Sequence, residues 1–417
     1  MKKRPVETVG IFDDTLVEKP IKGTLIGVSH DNLGGNQLYG LVESFSAAYF
    51  CRICLSDKNE TRSLCEQDDS KLRTVSNYRE HYPTAPNSHG IKFNSILNDL
   101  HYYNIFDNYT VDIKHDVLEG VAQLEIKYFL KFIIGENLTT LNEINMPLIL
   151  ADIVSKLTDK QKLKFKVLIL LLNIMDIIFC PVNSPGMVLN LKYLITEHHT
   201  LFQAEYDSNL TPKHHMMIHY PMIILKSGPL IGFWCMRFEA KHAYFKDLCN
   251  KLKNYKTLCK TLAYRHQQCA WYEWHNLELS TRPTYGKCKL KEKPNFLLHL
   301  NFEQDQILST QSVQFLGCIF KKGCFIVQGI HDDSLPVFLE ITDFFILNDL
   351  PCAICKKWKT SYFEDYYHSY IIETLSKEEY VIFNLVTLKH VVAYEIHHPF
   401  GLELNCIVLK YEVVHEL

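Results

Sequence analysis

The chain carries little excess charge of either sign: 44 Lys and Arg stand against 47 Asp and Glu, a formal net charge of −3 over 417 residues. Bulk electrostatics therefore announce no polyanionic partner, and any basic surface has to be local. Long hydrophobic runs are missing too. The most apolar stretch, 167–179, is broken by Asn173 and Asp176 and falls short of the roughly 20 residues that a bilayer-spanning helix needs. It reads as a buried helix, and no membrane partner is expected. Residues 1–5 are basic, but no apolar core follows to make a secretory signal. Internal repeats and low-complexity tracts are also absent. Without a secretory signal, the 14 cysteines read as reduced thiols with room for a metal site, not as a disulfide framework. The expected compartment is cytosol or nucleus.

What is present is apolar material, 47% of the residues, enough for two or more cores. Residues 24–28 form a short apolar run ending in Ser29-His30-Asp31, which predicts a buried strand with Asp31 at its C-terminal end. Gly34 and Gly35 predict a turn, and 41–50 has apolar residues at helical spacing. Helical periodicity dominates from about 93 to 265, with main segments at 111–134, 147–157, 161–179 and 189–206. After about 294 the texture changes to short apolar runs, 313–320, 325–330, 337–346, 370–373, 380–388 and 406–411, separated by turn signals. Five regions follow: 1–56 with Asp31 and a Cys pair, a helical insertion 57–225, a second helical region 226–280, a Lys-, Pro- and Gly-rich linker 281–296, and a small β-barrel or β-sheet domain 297–417.

Four clusters carry candidate chemistry. Cys51 and Cys54 form a C-x-x-C whose thiolates can both reach one tetrahedral zinc, a half-site. In the Lys213-His214-His215-Met216-Met217-Ile218-His219 run, His215 and His219 stand one helical turn apart and would complete a Cys2His2 set; spacing alone does not separate His214 from His215. No Glu follows the first His, which argues against the H-E-x-x-H metalloprotease pattern. Glu239, 20 residues after His219, opens a helix running to about 252, and facing Asp31 it could share divalent cations that serve phosphodiester transfer. The fourth cluster is basic: 237–293 holds 13 Lys and Arg, among them Arg237, Lys241 and Lys246, against five acids, with Tyr255, Tyr264, Trp271, Tyr272 and Trp274 interleaved. That composition suits contact with a phosphate backbone, and a solvated helix pair is its bland counterpart. A second C-x-x-C, Cys352 to Cys355, reads as two buried thiols, with a zinc half-site as the alternative.

The order Asp, C-x-x-C about 20 residues on, long insertion, paired His, Glu about 20 residues on, resembles the DDE transposases of the CACTA, Mirage and Chapaev group. Transib relatives and the V(D)J recombinase core share a similar layout. Closer strings are Asp31-Asn32-Leu33-Gly34, Val42 to Ala47, Tyr49-Phe50-Cys51-Arg52-Ile53-Cys54, Asp112 to Gly120, Leu210-Thr211-Pro212-Lys213, His219-Tyr220-Pro221 and Met236 to His242. They resemble CACTA-like open reading frames over roughly 20–270. The resemblance implies an α/β remnant of an RNase H-like catalytic core with a large zinc-tied α-helical insertion, followed by the small all-β domain. It implies Asp31 and Glu239 as the second and third catalytic carboxylates using Mg, and Cys51, Cys54, His215 and His219 as ligands of a structural Zn. Arg237, Lys241 and Lys246 would contact DNA. A nuclear location and a homo-oligomer fit this reading, and no small-molecule substrate does. Relatives carry a first catalytic Asp well upstream of the second; Asp13 and Asp14 are too close to Asp31 to serve. The expectation is therefore a transposase-derived protein that is catalytically incomplete, with a zinc-stabilised DNA-binding or interaction protein as the alternative. His115 and Asp116 belong to one of these strings without a chemical role that can be derived, and a structural role inside the insertion stands equally open.

Overall fold

The computed structural model describes residues 10–11, 19–20, 25, 27–84, 89–100, 102–108, 110–139, 156–253, 255–275, 282–292, 306–331, 334–347, 350–398 and 404–413. Helices and antiparallel sheets make it an α+β protein, and every strand pair among the described residues is antiparallel. The chain divides into two compact units, one made of Met1–Gly120 with Asn209–Cys235, the other of Val121–Ser208 with Met236–Leu417. The expected insertion 57–225 is thus shared between both units. No described helix is long and apolar enough to cross a membrane.

The first unit holds the strand pair β1 (Gly10–Ile11) and β2 (Lys19–Pro20) and the helices α1 (Asn32–Leu38) and α2 (Val75–Thr84). Two expectations change here. Thr24 and Ile26 lie outside the described residues, and 27–31 carries no strand, so Asp31 stands instead as the N-cap of α1, its side chain accepting from the Gly34 amide. The turn expected at Gly34-Gly35 is inside that helix, while 41–50 is turns and a single bridge, Leu41 to Ile91. Packing overrides periodicity at this point: a Cβ on Gly35 would sit 2.1 Å from the His30 ring, so the helix approaches His30 only because that position is glycine. Asp13 and Asp14 lie outside the described residues.

A π-type helix, Lys114–Val121, closes the first part of this unit, and α3 (Ala122–Gly135) continues the chain into the second. In the second unit follow α4 (Asp159–Ile178) and α5 (Pro185–Tyr206). Thr158 and Gln161 make a capping box on α4, and Ser184 caps α5 with Pro185 in its first turn; each cap satisfies amides that a helix start leaves open. Val167, Leu170, Leu171, Ile174, Ile177 and Ile178 bury one face of α4. Most of the expected helix 147–157 lies outside the described residues. Back in the first unit, α6 (Pro212–Met217) and α7 (Tyr220–Ser227) are short and largely buried. The second unit resumes with α8 (Met236–Leu252) and α9 (Leu258–His275), neither of which has a buried side chain among the described residues.

The described remainder is strands and short turns. Where a linker was expected, at 281–296, β3 (Thr284–Tyr285) and β4 (Cys288–Glu292) form instead, because polar lysines alternating along an edge strand are as compatible with pairing as with a solvated coil. Then come β5 (Gln306–Thr310), β6 (Ser312–Phe315), β7 (Cys318–Lys321), β8 (Phe325–Ile330), β9 (Pro336–Leu347), β10 (Leu350–Glu364), β11 (Ser369–Thr374), β12 (Tyr380–Asn384) and β13 (Asn405–Ile407). The larger sheet runs β13-β11-β10-β9-β5-β4, with β12 also on β10 and β8 on β9; a second sheet runs β3-β6-β7. The run expected at 313–320 splits in two around Leu316-Gly317, both at positive φ. The longest strand, β10, was not expected. Bulges near Ile354 and Thr360 bend it, so that its first half pairs with β9 and β12 and its second with β11. Phe320, Ile326, Leu339, Ile341, Phe344, Ala353 and Cys355 form one core, and Phe325, Val327, Phe338, Ile372, Tyr394 and Ile407 another.

Candidate metal centre

Two segments of the first unit meet at one buried point. Cys51 and Cys54 lie on a turn-rich segment pinned by the Cys54 to Leu72 bridge and by Arg73, whose Nε donates to the Cys51 carbonyl at 2.9 Å. His215 comes from α6, and His219 from the turn between α6 and α7. Thr211 fixes the start of α6 through a capping box with His214, whose Nδ1 lies 2.7 Å from the Thr211 hydroxyl. Of the adjacent histidines it is His215 that joins the cluster, its Nε2 turned toward the thiols, while His214 serves the cap through Nδ1.

The donor atoms of Cys51, Cys54, His215 and His219 all lie within 4.8 Å of one another, and all four residues are buried. Cys51 Sγ is 3.6 Å from His219 Nε2, and Cys54 Sγ is 3.2 Å from His215 Nε2. Zinc bonds of about 2.3 Å to sulfur and about 2.05 Å to nitrogen at a tetrahedral angle place S and N about 3.6 Å apart. One edge matches that figure and the other is slightly tighter, so the cluster can bind a metal such as zinc. Among the described residues it is the one set of three or more His, Cys, Asp or Glu side chains that converge in this way.

The electrostatics suit a cation. Burial pushes the Cys51 thiol up, yet a hydrogen bond from Cys54 and the nearby His219 and His215 pull it well below its ordinary value. Cys54 is pushed up by its hydrogen bond to Cys51 and by burial, so the pair gives up one proton readily and holds the second. Burial also lowers His219, keeping its imidazole neutral. The Nδ1 of His219 lies 2.8 Å from Gln67 Oε1, which selects the Nδ1–H tautomer and leaves Nε2 as a donor toward the metal.

A second buried network fastens the same segments and was not anticipated. Asp116 is fully buried; it accepts from Asn32 Nδ2 at 2.6 Å and from the Tyr220 hydroxyl at 3.1 Å. Arg52 donates from Nη1 to Asn32 Oδ1 at 2.7 Å. Burial raises the Asp116 carboxyl, against the nearby Arg52 and its two hydrogen bonds. Asp112, also fully buried, accepts from the Lys114 and Cys235 amides and pairs with His115 Nδ1 at 2.5 Å. Asp116 therefore serves structure, through partners that neighbour the cluster: Arg52 follows Cys51, and Tyr220 follows His219. The π-type turn exposes the Glu119 carbonyl, which Lys213 Nζ takes up at 3.0 Å. A signal for this network was in the sequence: Asn32, Arg52, Asp116 and Tyr220 each sit inside a string that carries the family resemblance.

The other expected site residues fall as follows. Asp31, in the first unit, is exposed, with Oδ1 accepting from the Gly34 amide at 2.6 Å. Glu239, in the second unit, is half-buried in the first turn of α8, beside exposed Arg237 and Lys241, with Lys246 exposed further along. Lys241 Nζ lies 5.1 Å over the Tyr244 ring. Cys352 and Cys355 sit three apart on a strand and pack into different apolar clusters, so they do not converge and are the two buried thiols expected of them. No protein-family model matches the chain, and no curated protein matches it.

Proposed function

We propose that the chain descends from a DDE transposase and acts on DNA chiefly by binding it, with Cys51, Cys54, His215 and His219 holding a structural zinc. The observation that carries the reading is the convergence of residues 161 and 168 positions apart on one buried point, in the order that the family resemblance implies. In this reading the first unit includes the remnant of an RNase H-like core, β3–β13 form an all-β C-terminal domain, and the protein works in the nucleus.

The DNA-facing element is the pair α8 and α9. With no buried side chain among its described residues, it leaves Phe238, Tyr264, Trp271 and Tyr272 about 60% exposed among Arg237, Lys241, Lys246, Lys260 and Arg265, a surface that suits phosphate contact with aromatic stacking. Zinc, when bound, supplies a cross-link between the Cys and His segments. Asp31 and Glu239 are the candidate catalytic carboxylates for Mg, and the resemblance calls for a third, which Asp13 and Asp14 are too close to Asp31 to supply; two carboxylates favour binding over strand transfer.

The test is duplex-DNA binding by the full chain, followed by fluorescence anisotropy across a salt series. Replacing Arg237, Lys241 and Lys246 with Gln should weaken binding and flatten the salt dependence by about 0.9 in log–log slope for each phosphate no longer neutralised. Asp31→Asn and Glu239→Gln should bind as the parent does. Loss of binding in these two variants, with the three basic replacements silent, would overturn the reading.

A further inference from the structure

The second unit contains a groove that plays no part in that reading. It encloses about 530 Å³ and is lined by five lysines, Lys287, Lys289, Lys291, Lys321 and Lys322, around serine and threonine side chains of β5 and β6. Three of these lysines alternate on and beside β4, the last strand of the larger sheet, and so share one face. Lys321 ends β7 in the smaller sheet, opposite Ser312 of β6. Beside the three lysines of this edge stand two more, Lys321 and the following Lys322, around the hydroxyl side chains of Ser309, Thr310 and Ser312.

Charge balance leaves the groove cationic. Asp343 pairs with Lys291 at 3.1 Å and with Lys322 at 2.7 Å, and accepts from Ser309 Oγ at 3.4 Å. It anchors two of the five cations. Among the described residues Lys287, Lys289 and Lys321 have no acidic partner, and all three are exposed.

We infer that this groove binds a nucleic-acid strand through its phosphodiester backbone, at a site separate from α8 and α9. Three features select that ligand. All five cations are lysines, compact point charges that bind phosphate without requiring a planar, bidentate partner. Same-face residues of a strand are about 6.8 Å apart, a step comparable to that between successive phosphates of an extended strand. Among the described residues no aromatic side chain lines the groove, so bases find nothing to stack on, and recognition is of the backbone and independent of sequence.

The experiment measures binding of the full chain to a fluorescent single-stranded 30-mer and to sodium poly-glutamate at several salt concentrations, with Lys287→Gln/Lys289→Gln/Lys321→Gln beside the α8 variant described above. Thermal melting of both variants, unchanged from the parent, shows that the exposed replacements leave the fold intact. The groove variant should lose about 2 from the log–log salt slope on the 30-mer, at roughly 0.7 for each single-strand phosphate neutralised, in any base sequence. A groove variant that binds the 30-mer like the parent at every salt overturns the inference, and if the α8 variant alone is impaired, the proposed function stands without it. The converse pattern supports the groove and removes the helical pair. Poly-glutamate bound as tightly as the 30-mer, through the same three lysines, also overturns it, since the site would then be one for acidic peptide.

Discussion

Cys54→Ser, or chelation of the metal, should loosen the first unit far more than the loss of one sulfur suggests. The cross-link that zinc would supply joins positions 161 residues apart, Cys54 to His215. In the chain-entropy treatment of a covalent cross-link, closing a loop of that length removes about 5 kcal/mol of unfolded-state freedom. Part of this is recovered without metal, because Cys54 Sγ and Cys51 Sγ already lie within hydrogen-bonding reach of His215 and His219, interactions worth about 1 kcal/mol each. The net loss should be about 3 kcal/mol. At roughly 2–4 °C for each kcal/mol in a unit of this size, the melting transition falls by about 6–12 °C. The assay pairs elemental analysis with calorimetry: the parent should carry one zinc per chain and Cys54→Ser none, and a picolinate-type chelator should shift the parent's transition to that of the variant. A parent purified from zinc-supplemented medium without stoichiometric metal, or a transition that chelator leaves in place, refutes the argument.

Two further outcomes follow from buried groups in the same unit. Burial and the neighbouring Arg52 lower His30 to about 4, where it bonds the Asp31 carbonyl at 2.9 Å and lies 3.1 Å from the Tyr39 hydroxyl. The unfolded chain therefore binds one more proton than the folded chain between pH 6.5 and 4, so stability falls as pH drops through that window by up to about 3 kcal/mol, and denaturant titrations of His30→Gln should show that much less acid sensitivity. Asp116→Ala leaves the Asn32 amide and the Tyr220 hydroxyl without their shared acceptor; urea unfolding should register a loss of about 2–4 kcal/mol, from two buried donors left unpaired, and a loss under about 1 kcal/mol would mean that the network is not holding the segments.

What could be read from sequence divided along the range of the interaction. The metal cluster was legible because ligand chemistry restricts residue type and spacing so tightly that Cys51, Cys54 and a His pair one turn apart carry the information themselves. Helices with capping residues, such as α4 after Thr158 and α5 after Ser184, were found within a few residues of their ends. The errors came where tertiary packing decided. Gly34 and Gly35 look like a turn until His30 is known to occupy the space above Gly35. The β10 strand was hidden because its two halves belong to different pairings and its buried stretch, Pro351–Cys355, is too short to stand out. Discriminating His214 from His215 required the folded positions of their ring nitrogens, which put His215 Nε2 beside Cys54 Sγ and which spacing alone does not reveal.

A metal at the Cys and His cluster would also set a schedule. The unit that contains it is interrupted by Val121–Ser208, so the Cys pair leaves the ribosome long before its His partners exist. At about 5–20 residues per second, the 161 residues between Cys54 and His215 take on the order of 10–30 s to synthesise. For that interval the two thiols have no final ligand set and are open to oxidation or to capture of the wrong metal. Assembly of a metal site there would be a race between translation and thiol chemistry, and lengthening the interrupting segment would slow the closing step while leaving all four residues in place.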